Sequence, residues 1–172
     1  MSKDAVRAYY ASFGEREWQR LTNPDDGAVE FALTKQFLAR YLPASGRILD
    51  LGGGPGRYTI WLAEHGYQVV LADLSPDLLT IARIQIAAAG VGQQVEAIVE
   101  ADACDLSRWP DASFDAVVMP GAVLSSARSY RSGARPLSLH ACFAQAASPL
   151  WPLCRATPCC GARSRCRMNA ST

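Results

Sequence analysis

The sequence predicts an α/β protein built on a doubly wound parallel sheet of about four strands, with helices at its N-terminus. Two observations carry this. From Arg47 onward short apolar runs alternate with helical patterns, which is how consecutive βαβ units read. The first of those runs passes through a glycine-rich turn straight into a helix. Length agrees, since 172 residues fit one domain with a core of its own. Apolar residues at 49% and charged residues at 19% make an ordinary globular mix, which excludes a disordered, collagenous or highly charged chain.

Val6, Tyr9, Tyr10 and Phe13 recur at i, i+3, i+4 and i+7, so the chain opens on an amphipathic helix stopping near Gly14, with Trp18 and Leu21 as its extension. The turn sequence Asn23-Pro24-Asp25-Asp26-Gly27 precedes a second helix, about Val29 to Leu42. Leu33, Phe37 and Tyr41 share one of its faces, and Pro43 stops it. Strands are expected at Arg47 to Leu51, Gln68 to Ala72, Gln94 to Glu100 and Phe114 to Met119. A helix from about Gly56 to His65, closed by Gly66, joins the first two. The next helix opens with Ser75 as N-cap and Pro76 as first helical residue, carries Leu79, Ala82 and Ile86, and ends at Gly90.

The segment Ile48-Leu49-Asp50-Leu51-Gly52-Gly53-Gly54-Pro55-Gly56-Arg57 is a buried strand, a glycine turn and a helix start. Glycines let backbone approach a ligand closely, and the following helix N-terminus presents N–H groups. The dinucleotide pattern Gly-x-Gly-x-x-Gly fails, because the register from Gly52 puts Arg57 in the last glycine position. NAD binding is thereby demoted. Asp73 ends the second strand 21 residues after Gly52, where an acid can accept hydrogen bonds from two ribose hydroxyls; its alternative role is capping the next helix, for which Ser75 is better placed.

What the segment does fit is Asp-x-Gly-x-Gly-x-Gly, carried by Asp50, Gly52, Gly54 and Gly56, and here the chain resembles the class I S-adenosylmethionine-dependent methyltransferases, whose fold is Rossmann-like. The resemblance implies that the loop, Gly53 included, holds the methionine part of S-adenosylmethionine, with Asp50 near its ammonium group. It also implies Asp102 as partner of the adenine amino group, Ala103 as a backbone donor and Leu74 against the adenine face. Tyr9-Tyr10, Glu15, Trp18-Gln19-Arg20-Leu21 and Glu30 resemble the N-terminal helical lid of bacterial members acting on small molecules, so Tyr10 or Trp18 could close over the sulfonium. Packing of that aromatic face on the core is the other reading. The lid is expected to span residues 1–45 and the cofactor-binding half 46–119.

The resemblance runs from about Val6 to Met119. Up to Met119 there are 10 Lys and Arg against 16 Asp and Glu; beyond it there are 7 Arg and no acid. Residues 120–172 are an atypical tail rich in Arg, Ser, Ala and Cys, read as the product of a shifted reading frame in a GC-rich gene, or else as a divergent tail. Its Cys154, Cys159, Cys160 and Cys166 lack the paired spacing of zinc ligands, so no metal is expected. Its scattered arginines have no aromatic platform, and no nucleic-acid partner is expected.

The N-terminus lacks a signal-peptide core, and the longest stretch without charges, Pro136 to Cys154, is broken by prolines, so the chain reads as cytoplasmic and without a membrane segment. The expected activity, by resemblance, is methyl transfer from S-adenosylmethionine to a small-molecule acceptor, with no catalytic base assigned. The alternatives are a non-catalytic cofactor-binding or structural fragment and an NAD(P)-dependent reductase. A four-stranded half sheet would leave its last edge unpaired, so self-association through that edge is expected.

Overall fold

The computed structural model describes residues 3–24 and 27–120. Three helices come first: α1 (Lys3–Ala11), α2 (Glu15–Arg20) and α3 (Gly27–Tyr41). The opening helix ends before Gly14, as expected, and Trp18 lies in a second helix and not in an extension of the first. Gly14 sits at φ 49°, outside the helical region, and breaks the pattern that Trp18 and Leu21 were expected to continue. Leu21 is nonetheless part of the core.

The expected face of α3 needs correcting. Leu33 and Tyr41 are 60% and 38% exposed, whereas Thr34 and Leu38 are buried and Phe31 packs on the core with Phe37. The helix carries apolar residues on more than one side, and tertiary contact decides which side is covered: Phe31 meets Tyr58 at 5.1 Å between ring centroids. At the start of α3, a Cβ on Gly27 would overlap the carbonyl of Arg20, so glycine permits the close crossing of α3 over the end of α2.

The sheet consists of β1 (Arg47–Leu51), β2 (Gln68–Asp73), β3 (Val95–Glu100) and β4 (Ala116–Val118), all parallel, in the order β3-β2-β1-β4. The order reverses beside β1, which is the switch point where ligand crevices form in open α/β sheets. Helices α4 (Arg57–Glu64) and α5 (Pro76–Ala88) connect the strands as expected, and Ser75 caps α5 by accepting from the Leu78 amide at 3.4 Å. Each expected strand is present, with β4 confined to the centre of its apolar run.

Ile48, Val69, Leu71, Ala116 and Val118 face α4 and α5 through Leu62, Leu79, Ala82 and Ile86. Leu49, Leu51, Val70, Ala72, Val117 and Met119 point the other way, against Leu106 and Phe114. Alternate residues thus enter opposite cores, and strands covered on both faces read as continuous apolar runs. Among the described residues no helix is long and apolar enough to cross a membrane. The expectations of a shifted reading frame, of the tail cysteines and of an unpaired sheet edge turn on residues 121–172, outside the described residues.

Candidate functional site

The carboxyl ends of β1, β2 and β3 bring Asp50, Asp73 and Glu100 to one rim of the sheet. Asp73 and Glu100 are register partners. Between β1 and α4 the glycine loop turns tightly, with Gly52, Gly54 and Gly56 all at positive φ. Gly53 is small for another reason. A Cβ there would stand 2.6 Å from Asp50 Oδ2 and 3.0 Å from Leu71 Cδ1.

The loop amides are turned inward. Gly52 and Gly53 donate to the Ala72 carbonyl at 2.6 and 3.4 Å, Gly54 to Asp73 Oδ2 at 2.9 Å, and Gly56 to the Gly53 carbonyl at 3.0 Å; Pro55 has no N–H to offer. The N–H groups expected to face a ligand are those at the start of α4, and the loop residues 52–56 before it offer none. A pyrophosphate would meet no free amide of these residues, with Asp73 and Asp50 buried behind them.

Asp50 is wholly buried beneath the loop. Its Oδ2 accepts from Thr59 Oγ1 at 2.6 Å, and its Oδ1 has no partner. Burial pushes this carboxyl up to about 7, opposed by the Thr59 hydrogen bond and assisted by the charge of Asp73. Asp73 is 9% exposed, and it too is raised by burial, against the amides of Ser75 and Gly54 that favour its ionised form. The Ser75 amide reaches Asp73 Oδ1 at 2.8 Å. One carboxylate thus ties the glycine loop to the start of α5.

Beyond Asp73 the rim opens into a cleft of about 540 Å³ lined by Leu74, Glu100, Ala101, Asp102, Asp105 and Arg108. Asp102 shapes its floor: its Oδ1 accepts the Cys104 amide at 2.9 Å and its carbonyl accepts the Asp105 amide at 2.9 Å. Ala103 is half-buried beside it, against the second core. Of the expected site residues, Leu74 and Asp102 line this cleft, Asp50, the glycines and Asp73 cluster at the neighbouring strand ends, and Ala103 packs beside Asp102.

The two aromatic candidates lie in α1 and α2. Tyr10 packs with Tyr9 and Phe13 of its own helical segment, at 5.3 and 6.4 Å between centroids. Trp18 is engaged by a cation of the chain itself, because the Arg57 guanidinium lies 3.8 Å from its ring centroid and Arg57 Nε donates to its carbonyl at 2.9 Å. Sequence reasoning missed Arg57 and Thr59 as well as Arg7, Glu100 and Arg108 at the open end. A hydroxyl in the first turn of the helix after an acid-glycine loop was the available signal for Thr59; for the arginines there was none.

The comparisons with known proteins bear on this arrangement. Residues 48–134 match the methyltransferase domain family, past the Met119 where the sequence resemblance ended. The demethylmenaquinone methyltransferase of Thermus thermophilus is 39% identical over 111 residues, covering 63% of this chain and 42% of that protein. The tRNA 5-carboxymethoxyuridine methyltransferase of Escherichia coli K12 is 38% identical over 76 residues, covering 42% and 29%. The chain spans less than half the length of either curated relative. A Methanococcus maripaludis protein described as an S-adenosyl-L-methionine-dependent methyltransferase shares the fold, with a TM-score of 0.58 at 18% identity over 79% of this chain and 64% of that one.

Proposed function

The chain belongs to the class I S-adenosylmethionine-dependent methyltransferases, and from that membership we propose that it binds S-adenosylmethionine along the β1–β3 rim and serves methyl transfer to a small-molecule acceptor in the cytoplasm. One observation carries the choice of cofactor: the glycine loop offers buried carboxylates in place of open amides. Acceptors of this kind suit the ammonium of an amino acid and disfavour a phosphate. Asp50 stays sealed beneath Gly53 and acts through the loop without contact, while Asp73 at the rim is the carboxylate a polar ligand can approach, so the residues present fit the group.

In this reading Gly52, Gly53, Gly54 and Gly56 keep side chains out of the methionine end, and Asp50 lies beneath it as a carboxyl that burial holds protonated up to about pH 7. Asp73, at the rim and held by backbone amides, is the acceptor for the ribose hydroxyls. Leu74 supplies an apolar face for adenine, and Asp102 and Ala103 supply its edge contacts. When bound, S-adenosylmethionine supplies a methyl group already activated on a sulfonium sulfur. The chain's own work is therefore positioning and exclusion of water, to which the helices of residues 1–45, with Tyr10 and Trp18, contribute. No base is assigned.

The name of the Escherichia coli relative favours a second acceptor class, a tRNA nucleoside. The test is a calorimetric titration of the full chain with S-adenosylhomocysteine, with NADH as control, followed by methyl-transfer assays on phenolic and quinol acceptors and on tRNA. Binding of S-adenosylhomocysteine without NADH binding is expected. Saturable NADH binding in its place, or neither ligand bound by a folded sample, would overturn the cofactor assignment, and transfer to tRNA alone would replace the small-molecule acceptor.

A further inference from the structure

Behind the glycine loop lie two carboxylates, Asp50 and Asp73, and among the described residues neither is in an ion pair. Asp50 is wholly buried, with Oδ2 on the Thr59 hydroxyl and Oδ1 unpartnered. Asp73 accepts the Gly54 and Ser75 amides. The groups facing the two from the surrounding elements bring no free cation. Tyr58 of α4 has its hydroxyl pushed up to about 12 by burial, so it stays neutral beside Asp50. Glu17 of α2 adds a negative charge toward Asp73 and is itself paired with Arg20, which also holds Glu30. Arg57, at the start of α4, is turned onto Trp18, and Arg7 of α1 is taken up by Glu100, the register partner of Asp73. In the sheet Asp50 lies between Leu71 and Val118. Two negative charges sealed in this way, without a cation, disfavour each other, so the empty site keeps a proton.

We propose that the Asp50–Asp73 pair discriminates cofactor from product by charge: it releases its proton to solvent when S-adenosylmethionine seats on the loop and keeps it when S-adenosylhomocysteine does. This rests on the cofactor reading given above. The two ligands share ammonium, carboxylate, ribose and adenine, and differ by one methyl group and the positive charge of the sulfonium. Gly53 packs directly on Asp50, so a cation seated on the loop acts on that carboxyl through a thin, water-free layer without touching it. Burial raises Asp50 to about 7 in the empty site, and a nearby cation favours the ionised form and lowers that value. Between the lowered and the free value the complex holds fewer protons than the empty site, so affinity for S-adenosylmethionine rises with pH across that window and is level above it. Transfer breaks the bond from methyl carbon to sulfur with its electron pair left on sulfur. The neutral product no longer offsets the ionised pair, a proton returns from solvent, and the product is held less tightly than the cofactor.

The experiment is calorimetric titration of the full chain with each ligand from about pH 5 to about pH 7, in paired buffers of different ionisation enthalpy that count the protons released. Neither the methyl group's contacts nor the ribose bonds to Asp73 separate the two ligands as pH changes, so the ratio of their affinities reads the charge alone. The preference for S-adenosylmethionine is expected to grow about two- to fivefold over this range, with about a quarter to a half of a proton more released per cofactor than per product near pH 6.5. Asp50→Asn should reduce that growth, leaving the part that comes from Asp73. Thr59→Val keeps the shape and removes a hydrogen bond to the ionised form, so it should move the rise to higher pH. A preference that is flat with pH in the unaltered chain, with equal proton counts for the two ligands, overturns the proposal and leaves the cofactor reading standing; no variant has to fold for that result. Undiminished growth in Asp50→Asn also overturns it. Failure of the unaltered chain to bind either ligand is a different result, which removes the cofactor reading and the discrimination with it.

Discussion

At the glycine-loop end of the cleft, each N–H of residues 52–56 donates within the chain, Asp50 is sealed beneath Gly53, and both Asp73 oxygens accept amides. At the open end, Glu100, Asp105 and Arg108 are exposed, and Arg7 of α1 meets Glu100 in a solvent-facing ion pair. The difference teaches where binding geometry is stored. The first end is set before any ligand arrives, because an unmade hydrogen bond there would cost the full desolvation of a buried group. The second can rearrange, because water replaces whatever contact is lost.

The largest effect should come from filling the sealed end. Gly53→Ala puts a methyl group against Asp50 and Leu71, and we expect about 1–3 kcal/mol of lost stability in urea unfolding together with loss of S-adenosylhomocysteine binding. Asp73→Ala strands the amides of Gly54 and Ser75, each costing about 1–3 kcal/mol, and removes the ribose acceptor. Affinity measured by calorimetry should fall about 10- to 100-fold. Should either change leave binding intact, the loop is not the ligand's rigid seat.

A smaller effect follows from Asp50. Its folded carboxyl is raised to about 7 from the ordinary 3.8, so between those values the folded state holds a proton that the unfolded chain has released. Its contribution to stability is therefore most favourable below about pH 4, declines as pH rises to about 7, and is level above that. Unfolding measured across this window should show the slope, and Asp50→Asn should reduce it, leaving the part that comes from the raised Asp73. Smallest of all should be Asp102→Ala at the adaptable end, with affinity lower by about three- to tenfold and little change in unfolding midpoint.

The strands, the acid-glycine loop and the capped start of α5 were legible in the sequence because each is written in neighbouring residues. Apolar runs covered on both faces, positive-φ glycines and the Ser75-Pro76 pair need no distant partner to be read. The Arg7–Glu100 and Arg57–Trp18 contacts join residues 93 and 39 positions apart, and such pairs leave no periodic trace. The orientation of α3 was hidden for a related reason. Val29, Leu33 and Tyr41 look as buriable as Phe31 and Leu38, and only the position of Tyr58 in the fold decides between the two sides. At the strand ends, residue types pointed to the acids and glycines that the fold brings together, while the inward turn of the loop amides became visible only in three dimensions.

The most direct measurement is amide hydrogen exchange of the full chain with and without saturating S-adenosylhomocysteine, compared at residues 52–56 and 100–108. The account predicts strong new protection at 100–108, where the cleft is open, and little gain at 52–56, whose amides are bonded already. New protection elsewhere with none at 100–108, or large new protection confined to the glycine loop, would contradict it.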